Sequence, residues 1–504
     1  MDINYIKEID ESRVYDVAER TPITPLNKIS QKYNNTIHLK REDLQPIFSF
    51  KCRGAYNKIS SLSSTDKAKG IIAASAGNHA QGVALSASKL NIDATIVMPT
   101  TTPSIKIESV RKFGVKVKLF GDSFDEAYEN ALEVSKNEGK IFIHPFDDPL
   151  VIAGQGTVAK EIVEELKDVP DIFFIPVGGG GLISGMSLYI KKHYPNAKVY
   201  GVESEDAPTL FTSLKNGKPT TLDQVGLFVD GCAVKRIGEE TFRISKKYVD
   251  GVILVSIDET CAAIKDIYED TRVMSEPAGA LSVAGMKKFV LSNEVTNKKI
   301  IVVNSGANLN FDRLRHVTER AEIGEGKELL LSVKIPEMSG SFRAFCEVLG
   351  KRSISEFNYR YANEKSANVF VGIKTDDIQK DTKNIFDDLH SHKYDFIDLT
   401  QNEVAKLHLR YMVGGKPSSI INEKLFRFEF PEKPGALLNF LNKMKKDWDI
   451  TLFHYRNHGS AFGRVLVGID IGNYDKDDLN KFLRDLDYKY TEETENEGYN
   501  SFLK

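Results

Sequence analysis

The last third of the chain repeats itself, and that repeat limits the folds open to it more than any other feature. Pro336-Glu337 with Gly340 returns as Pro431-Glu432 with Gly435. Phe357-Asn358-Tyr359-Arg360 returns as Phe453-His454-Tyr455-Arg456, and Val369-Phe370-Val371-Gly372-Ile373 as Val465-Leu466-Val467-Gly468-Ile469. The offsets are 95, 96 and 96 residues. Three ordered matches at nearly one spacing mark two copies of one module. LLLSVKIPE (329–337) and LFRFEFPE (425–432) alternate apolar and polar residues, as half-buried strands do. Each copy reads strand, helix, strand, strand, helix, with room for a last strand, which suits a ferredoxin-like βαββαβ sandwich. The copies are expected over 326–402 and 421–504, joined by a linker at 403–420 that contains Gly414-Gly415-Lys416-Pro417.

Residues 1–325 follow another pattern. Short aliphatic runs alternate with segments of helical period: IIAAS (71–75), ATIVMP (94–99), VKVKLF (115–120), IFIHPF, IFFIPV (172–177), KVYGVES, GVILVS and KIIVVNS. Between the first two, Ala80, Val83, Ala84 and Ala87 share one helical face; later Phe124, Ala127, Ala131 and Val134 do the same. This alternation predicts a mostly parallel sheet with helices on both faces. The strands are many enough for two such sheets. The expected fold class is therefore α/β, a two-lobed parallel-sheet domain followed by the two small modules.

Composition excludes some functions. The 504 residues carry 68 Lys and Arg against 71 Asp and Glu, a net charge of −3 with no long basic run, which argues against a nucleic-acid partner. No stretch reaches the ~18–20 apolar residues of a membrane helix. The start, MDINYIKEIDESR, has no apolar leader, so a cytoplasmic protein is expected, although an organelle form with its targeting segment removed would read the same. Cys52, Cys232, Cys261 and Cys346 lie far apart without a CxxC pair, so neither a zinc site nor a disulfide framework is expected.

Four loops follow strands or precede helices in the first region, where ligands gather in open α/β sheets. Gly178-Gly179-Gly180-Gly181 follows IFFIPV. Four glycines in a row suit backbone N–H groups that approach an anion at a helix N-terminus, and neither GxGxxG nor GxxxxGK[ST] is spelled, so a single phosphate is the better match. A tight turn without ligand is the alternative. Ser75-Ala76-Gly77-Asn78-His79 could grip a carboxylate or simply cap a helix. Lys51, between Phe50 and Cys52, could be a desolvated amine or a surface lysine. Ser305, in Asn304-Ser305-Gly306-Ala307-Asn308, could bond a ligand ring or cap a helix.

Together SFKCRGA, SAGNHAQG, PVGGGGL and NSGAN, in this order, resemble the pyridoxal-phosphate enzymes of the tryptophan-synthase-β structural group. Within it the chain is similar to threonine deaminase (threonine ammonia-lyase): KREDLQPIFSFK, LVIAGQGTVA, GLFVDGCAVKRIG and SEPAGAL strengthen the match. PEMSGSF, EFNYR, KLHLRYMVGG and LFHYR look like the paired ACT-like regulatory modules of the biosynthetic form, so the resemblance spans nearly the whole chain. It implies Lys51 as the Schiff-base lysine, Asn78 on the cofactor's ring hydroxyl, and Gly178, Gly179, Gly180, Gly181 and Leu182 as the phosphate loop. It also implies Ser305 at the pyridine nitrogen, and Ser75, Ala76, Gly77 and His79 around the substrate carboxylate. No metal is implied, although Glu203 in GVESEDAP could border a cation site as in some relatives. Cys52 stands where the group more often has a non-thiol residue.

The implied reaction is dehydration and deamination of L-threonine to 2-oxobutanoate and ammonia, the first committed step of isoleucine biosynthesis. Isoleucine would inhibit and valine oppose it; the candidates are Gly340, Phe357, Tyr359, Gly435, Phe453 and Tyr455, for which plain sheet core and edge is the equal alternative. The family is commonly a homotetramer. A serine-preferring dehydratase or racemase on the same scaffold is the nearest alternative, since one methyl group is worth only ~1–3 kcal/mol in a pocket. A non-catalytic amino-acid sensor would have lost Lys51 or the glycine run, and both are present.

Overall fold

A computed structural model of the chain describes residues 4–336, 341–350, 352, 354–361, 366–375, 378–411, 422–431, 439–440, 443–444, 448–456, 462–471 and 476–503. The chain divides into two compact units, Met1–Val317 and Thr318–Lys504.

The first unit holds strands β1 (Ile23–Pro25), β2 (Thr36–Arg41), β3 (Ile71–Ala74), β4 (Ala94–Met98), β5 (Lys116–Leu119), β6 (Ile141–Phe142), β7 (Ile172–Pro176), β8 (Lys198–Ser204), β9 (Gly251–Val255) and β10 (Lys299–Asn304). They form two sheets. The larger runs β1-β2-β10-β7-β8-β9 and is parallel except for β1; the smaller runs β5-β4-β3-β6 and is wholly parallel. The two lobes expected from the number of strands are present, and the sequence reading missed β1 and β2. In the larger lobe Phe173, Ile175, Ile183, Met186, Ile301 and Val303 pack as one core. In the smaller, Ala80, Val83, Ala84 and Ala87 cover Ile71, Ala73 and Ile96, so the helical face read from sequence is the buried one. The second stripe is only partly so. Ala127 and Ala131 are buried, but Phe124 stands at the first turn of its helix and is 45% exposed.

The second unit holds β11 (Glu328–Pro336), β12 (Ile354–Tyr361), β13 (Ser366–Lys374), β14 (Asp395–Asp398), β15 (Glu423–Pro431), β16 (Asp449–Arg456), β17 (Phe462–Asp470) and β18 (Tyr490–Glu492). They make two antiparallel sheets, β12-β13-β11-β14 and β16-β17-β15-β18, the same order twice and that of a ferredoxin-like module. Even the irregularity repeats: the register shifts at Ile354/Glu356 in β12 and at Ile450/Leu452 in β16. The stretch expected to be a linker begins with a helix, Glu403–Leu407. Val404, Ala405 and Leu409 join the core around Leu330, Phe370 and Leu466, because apolar residues at helical spacing bury wherever a sheet face is open to them. Gly340 and Gly435 lie outside the described residues. Phe357 and Tyr359 sit on β12 opposite Val371 and Val369, and Phe453 and Tyr455 on β16 opposite Val467 and Val465.

Candidate active site

The first unit has its candidate loops at the carboxyl ends of β3, β7 and β10, and the helix Lys51–Ser60 packs against the helices Asn78–Leu90 and Pro149–Glu165. That helix is held by close approach. A Cβ on Gly82 would come within 2.8 Å of the Lys51 carbonyl oxygen, and one on Gly154 within 2.7 Å of Gly54 Cα. The residues that lead into it are tied to the β10 loop: Phe50 N–H donates to Ser305 O at 3.2 Å, and Ala307 N–H to Phe48 O at 2.9 Å. Lys51 and Ser305 are thus neighbours through the backbone.

Lys51 Nζ donates to Pro145 O at 3.0 Å and, among the described residues, meets no carboxylate in an ion pair. Desolvation lowers its pKa to about 8, against a smaller upward pull from Cys232 and Glu276. Cys232 is itself buried, and burial pushes its thiol up. Burial likewise pushes the Cys52 thiol up to about 12, so neither cysteine is a reactive thiolate.

The glycine run starts the helix Gly181–His193, with Gly180 at φ +91°, a conformation only glycine takes readily. Its carbonyls are tied back: Thr209 Oγ1 donates to Gly178 O at 3.4 Å, and Thr241 Oγ1 to Gly179 O at 2.8 Å. A trans peptide directs its N–H opposite to its carbonyl, so the N–H groups of Gly179 and Gly180 turn the other way. Among the described residues, none of the N–H groups of Gly178, Gly179, Gly180, Gly181 and Leu182 has a hydrogen-bond acceptor. The Leu182 side chain belongs to the core, so only its backbone faces this fan. Packing also needs these glycines, since a Cβ on Gly179 would lie 2.2 Å from the Phe146 ring.

Ser75 Oγ accepts from Gly77 N–H at 3.2 Å, which shapes the turn into the helix Asn78–Leu90. A Cβ on Gly77 would meet nothing within 4 Å, so this turn faces open space. Ala76 lies within it. His79 does not extend the turn with its side chain. The ring is buried, its Nε2 pairs with Ile143 O at 3.0 Å, and desolvation lowers its pKa to about 3, so it is a neutral donor. What His79 offers a ligand is its backbone at the helix N-terminus. Asn78 Nδ2 donates to Glu276 Oε1 at 2.6 Å, and Asn78 Oδ1 accepts from Asn308 Nδ2 at 2.7 Å. Glu276, Asn308 and the segment His144–Asp147 were not singled out from sequence, although SEPAGAL and NSGAN contain the first two.

Glu203 caps a helix instead of facing a cation. Its oxygens accept from Leu210 N–H at 2.7 Å, Phe211 N–H at 2.9 Å and Thr209 Oγ1 at 3.0 Å. No three His, Cys, Asp or Glu side chains among the described residues are arranged for a metal. No helix among them is long and apolar enough to cross a membrane.

Among the described residues, the amine has no counter-ion, the N–H groups at a helix N-terminus are free and the Ser305 hydroxyl has no partner, and these three features fit pyridoxal phosphate. Residues 14–306 match the family described as "Pyridoxal-phosphate dependent enzyme", the class that this fold and this site define. Residues 319–409 and 414–503 match the "C-terminal regulatory domain of Threonine dehydratase". The "L-threonine dehydratase biosynthetic IlvA" of Pasteurella multocida is 50% identical over 500 residues, 99% of this chain and 97% of the relative. The mitochondrial threonine dehydratase of Saccharomyces cerevisiae is 47% identical over 99% of this chain and 89% of its own. The chain belongs to the biosynthetic threonine dehydratase family. In structure it is similar to the processed form of threonine deaminase isoform 2 from Solanum lycopersicum, with a TM-score of 0.62 at 48% identity, over 63% of this chain and 92% of that one.

Proposed function

We propose that the chain converts L-threonine to 2-oxobutanoate and ammonia. The water lost when the β-hydroxyl leaves is regained when the released enamine tautomerises and hydrolyses. The observation that carries this reading is the half-buried Lys51 amine, free of any ion pair among the described residues, in the same unit as a fan of N–H groups suited to a phosphate. Pyridoxal phosphate, when bound, supplies an aldehyde for the amino group and a ring that takes up charge as the Cα–H bond breaks.

This chain's residues do the rest. The N–H groups of Gly178–Leu182 and their helix dipole hold the phosphate. Lys51 Nζ would hold the cofactor at its aldehyde, and as a free amine it would accept the Cα proton. A lysine whose pKa is lowered to about 8 is neutral often enough at neutral pH to do so. Asn78 would meet the ring hydroxyl and Ser305 the ring nitrogen. A hydroxyl there, unlike a carboxylate, does not force that nitrogen to be protonated. Ser75, Ala76, Gly77 and the His79 backbone take the substrate carboxylate at a helix N-terminus, where an anion is favoured.

The repeated modules support isoleucine as inhibitor and valine as its opponent, each favouring a different state of the enzyme. Phe357, Tyr359, Phe453 and Tyr455, together with Gly340 and Gly435, are the residues we assign to them. Residues 1–325 form the catalytic part in this reading, with modules at 326–402 and 421–504. Family membership supports a homotetramer in the cytoplasm. Release of 2-oxo acid from L-threonine and from L-serine, with and without isoleucine, tests the reading. Faster turnover of serine would turn it towards a serine dehydratase, and indifference to isoleucine would remove the feedback.

A further inference from the structure

Glu276 is buried at the start of the helix Pro277–Ser292, and none of the steps above uses it. Its Oε1 accepts from Asn78 Nδ2 at 2.6 Å. Asn78 Oδ1 accepts from Asn308 Nδ2 at 2.7 Å, and that same nitrogen donates to Ile47 O at 2.7 Å. An amide nitrogen has two hydrogens. Both of those on Asn308 are committed, so its nitrogen end must face Asn78. That in turn fixes the Asn78 oxygen, sends one Asn78 hydrogen to Glu276, and leaves one hydrogen for a ligand.

The carboxyl has little room to turn. A Cβ on Gly306 would stand 2.4 Å from Glu276 Oε1, and Glu276 N–H donates to Gly306 O at 3.1 Å. The charged groups that act on it are Asp230, Lys106 and Arg313, with Lys51 and Cys232 also feeling its charge. Burial and Asp230 raise its pKa; the Asn78 bond, Lys106 and Arg313 lower it; burial wins and leaves it at about 7.

We propose that Glu276 is a positioning residue for the reaction: it orients the Asn78 amide towards the cofactor's ring hydroxyl and sets the charge beside Lys51. The inference rests on pyridoxal phosphate binding at Lys51. The experiment uses cofactor-stripped native protein, E276Q and E276A, titrated with pyridoxal phosphate and followed by the bound cofactor's absorbance across pH 5.5–8.5, with kcat profiles beside it. In E276A the amide loses its buried acceptor, so affinity falls about tenfold or more and the band shifts. In E276Q the glutamine oxygen still accepts from Asn78, so affinity stays within about threefold of native, while the inflection near pH 7 disappears. E276A with native affinity, band and pH profile overturns the proposal. If E276A does not fold, E276Q decides: an inflection that persists overturns it. Native protein that takes up no cofactor sinks the proposed function and this inference together, whereas native uptake with unmoved variants overturns only Glu276.

Discussion

Lys51 Nζ lies 3.0 Å from the carbonyl oxygen of Pro145, and this contact ties the reactive amine to a segment that also shapes the glycine loop. His144 Nδ1 accepts the N–H groups of Phe146 at 3.2 Å and Asp147 at 2.8 Å, which folds the segment tightly. The Phe146 ring then lies where a Cβ on Gly179 would stand. Asp147 caps the helix Glu239–Tyr248 through the N–H groups of Glu239, Glu240 and Thr241. Four consecutive residues therefore set both the amine and the anion-binding loop.

The lowered pKa of Lys51 predicts how cofactor capture depends on pH. The rate at which stripped protein condenses with pyridoxal phosphate should rise with pH, reach half its plateau near 8, where the amine is half neutral, and level off above that, instead of having its midpoint at 10.5. Stability has the matching sign. Between those two values the unfolded chain binds more protons at Lys51 than the folded one does, so this residue's penalty to folding is full below about pH 8 and lifts as pH rises. Stopped-flow absorbance checks the first expectation. K51A should show neither the band nor 2-oxo acid release.

Gly179 and Phe146 should behave as a pair. Gly179→Ala forces a methyl to within 2.2 Å of the ring, an overpacking that costs about 1–3 kcal/mol, and it should weaken cofactor binding as the loop shifts. Adding Phe146→Ala makes room, so the double variant should regain part of the affinity lost by G179A alone. Equal losses in the two would show that the loop fails for another reason.

Much of this was legible beforehand, and the reason is physical. Strand ends and glycine-rich helix starts have local signatures, so Gly178–Gly181 and the turn at 75–79 stood out as ligand loops, whereas the roles of Lys51, Asn78 and Ser305 were implied only by the family resemblance. Glu276 could not be singled out. Its importance comes from a partner 198 positions away in sequence. The sequence also could not say which part of His79 is available: its place in the turn is local, but its ring is committed to Ile143 on another segment. β1 and β2 escaped because TIHLKR mixes charged and apolar residues; the fully buried Lys40 finds Glu161 at 2.6 Å only after folding.

Lys40 belongs to a buried network that also holds the Lys51 helix. Arg53 Nε meets Glu42 Oε2 at 2.7 Å and Arg53 Nη1 meets Glu161 Oε1 at 2.6 Å, all without exposure to solvent worth counting. Removing one partner leaves buried charge uncompensated, so Arg53→Leu should destabilise the protein by about 3–5 kcal/mol in urea unfolding. Arg53→Lys should rescue little, because an ammonium cannot span both carboxylates as the guanidinium fork does. A loss of under about 1 kcal/mol for R53L would mean that packing alone holds this helix.

Two ion pairs join the smaller lobe to the segment 217–238 of the larger, and their surroundings decide which one matters. Asp125–Lys235 closes at 2.7 Å with both side chains about half exposed, so it should contribute ~0–1 kcal/mol and vanish in salt. Lys106–Asp230 closes at 2.6 Å in a more sheltered place, with Arg313 a further 3.3 Å from the same carboxylate. Burial raises the pKa of Asp230, but Arg313 and Lys106 together hold the carboxyl well below the usual carboxylate range. The tie is therefore complete at neutral pH and weakens only in strong acid. A double-mutant cycle of K106M and D230N should give a coupling of about 1–3 kcal/mol that survives 0.5 M salt, while the Asp125–Lys235 cycle gives less than about 1. Asp230 also acts electrostatically on Glu276, so D230N should lower the pKa of that carboxyl and move the inflection near pH 7 to lower pH. Additive variants with an unmoved profile would mean that the lobes are joined elsewhere.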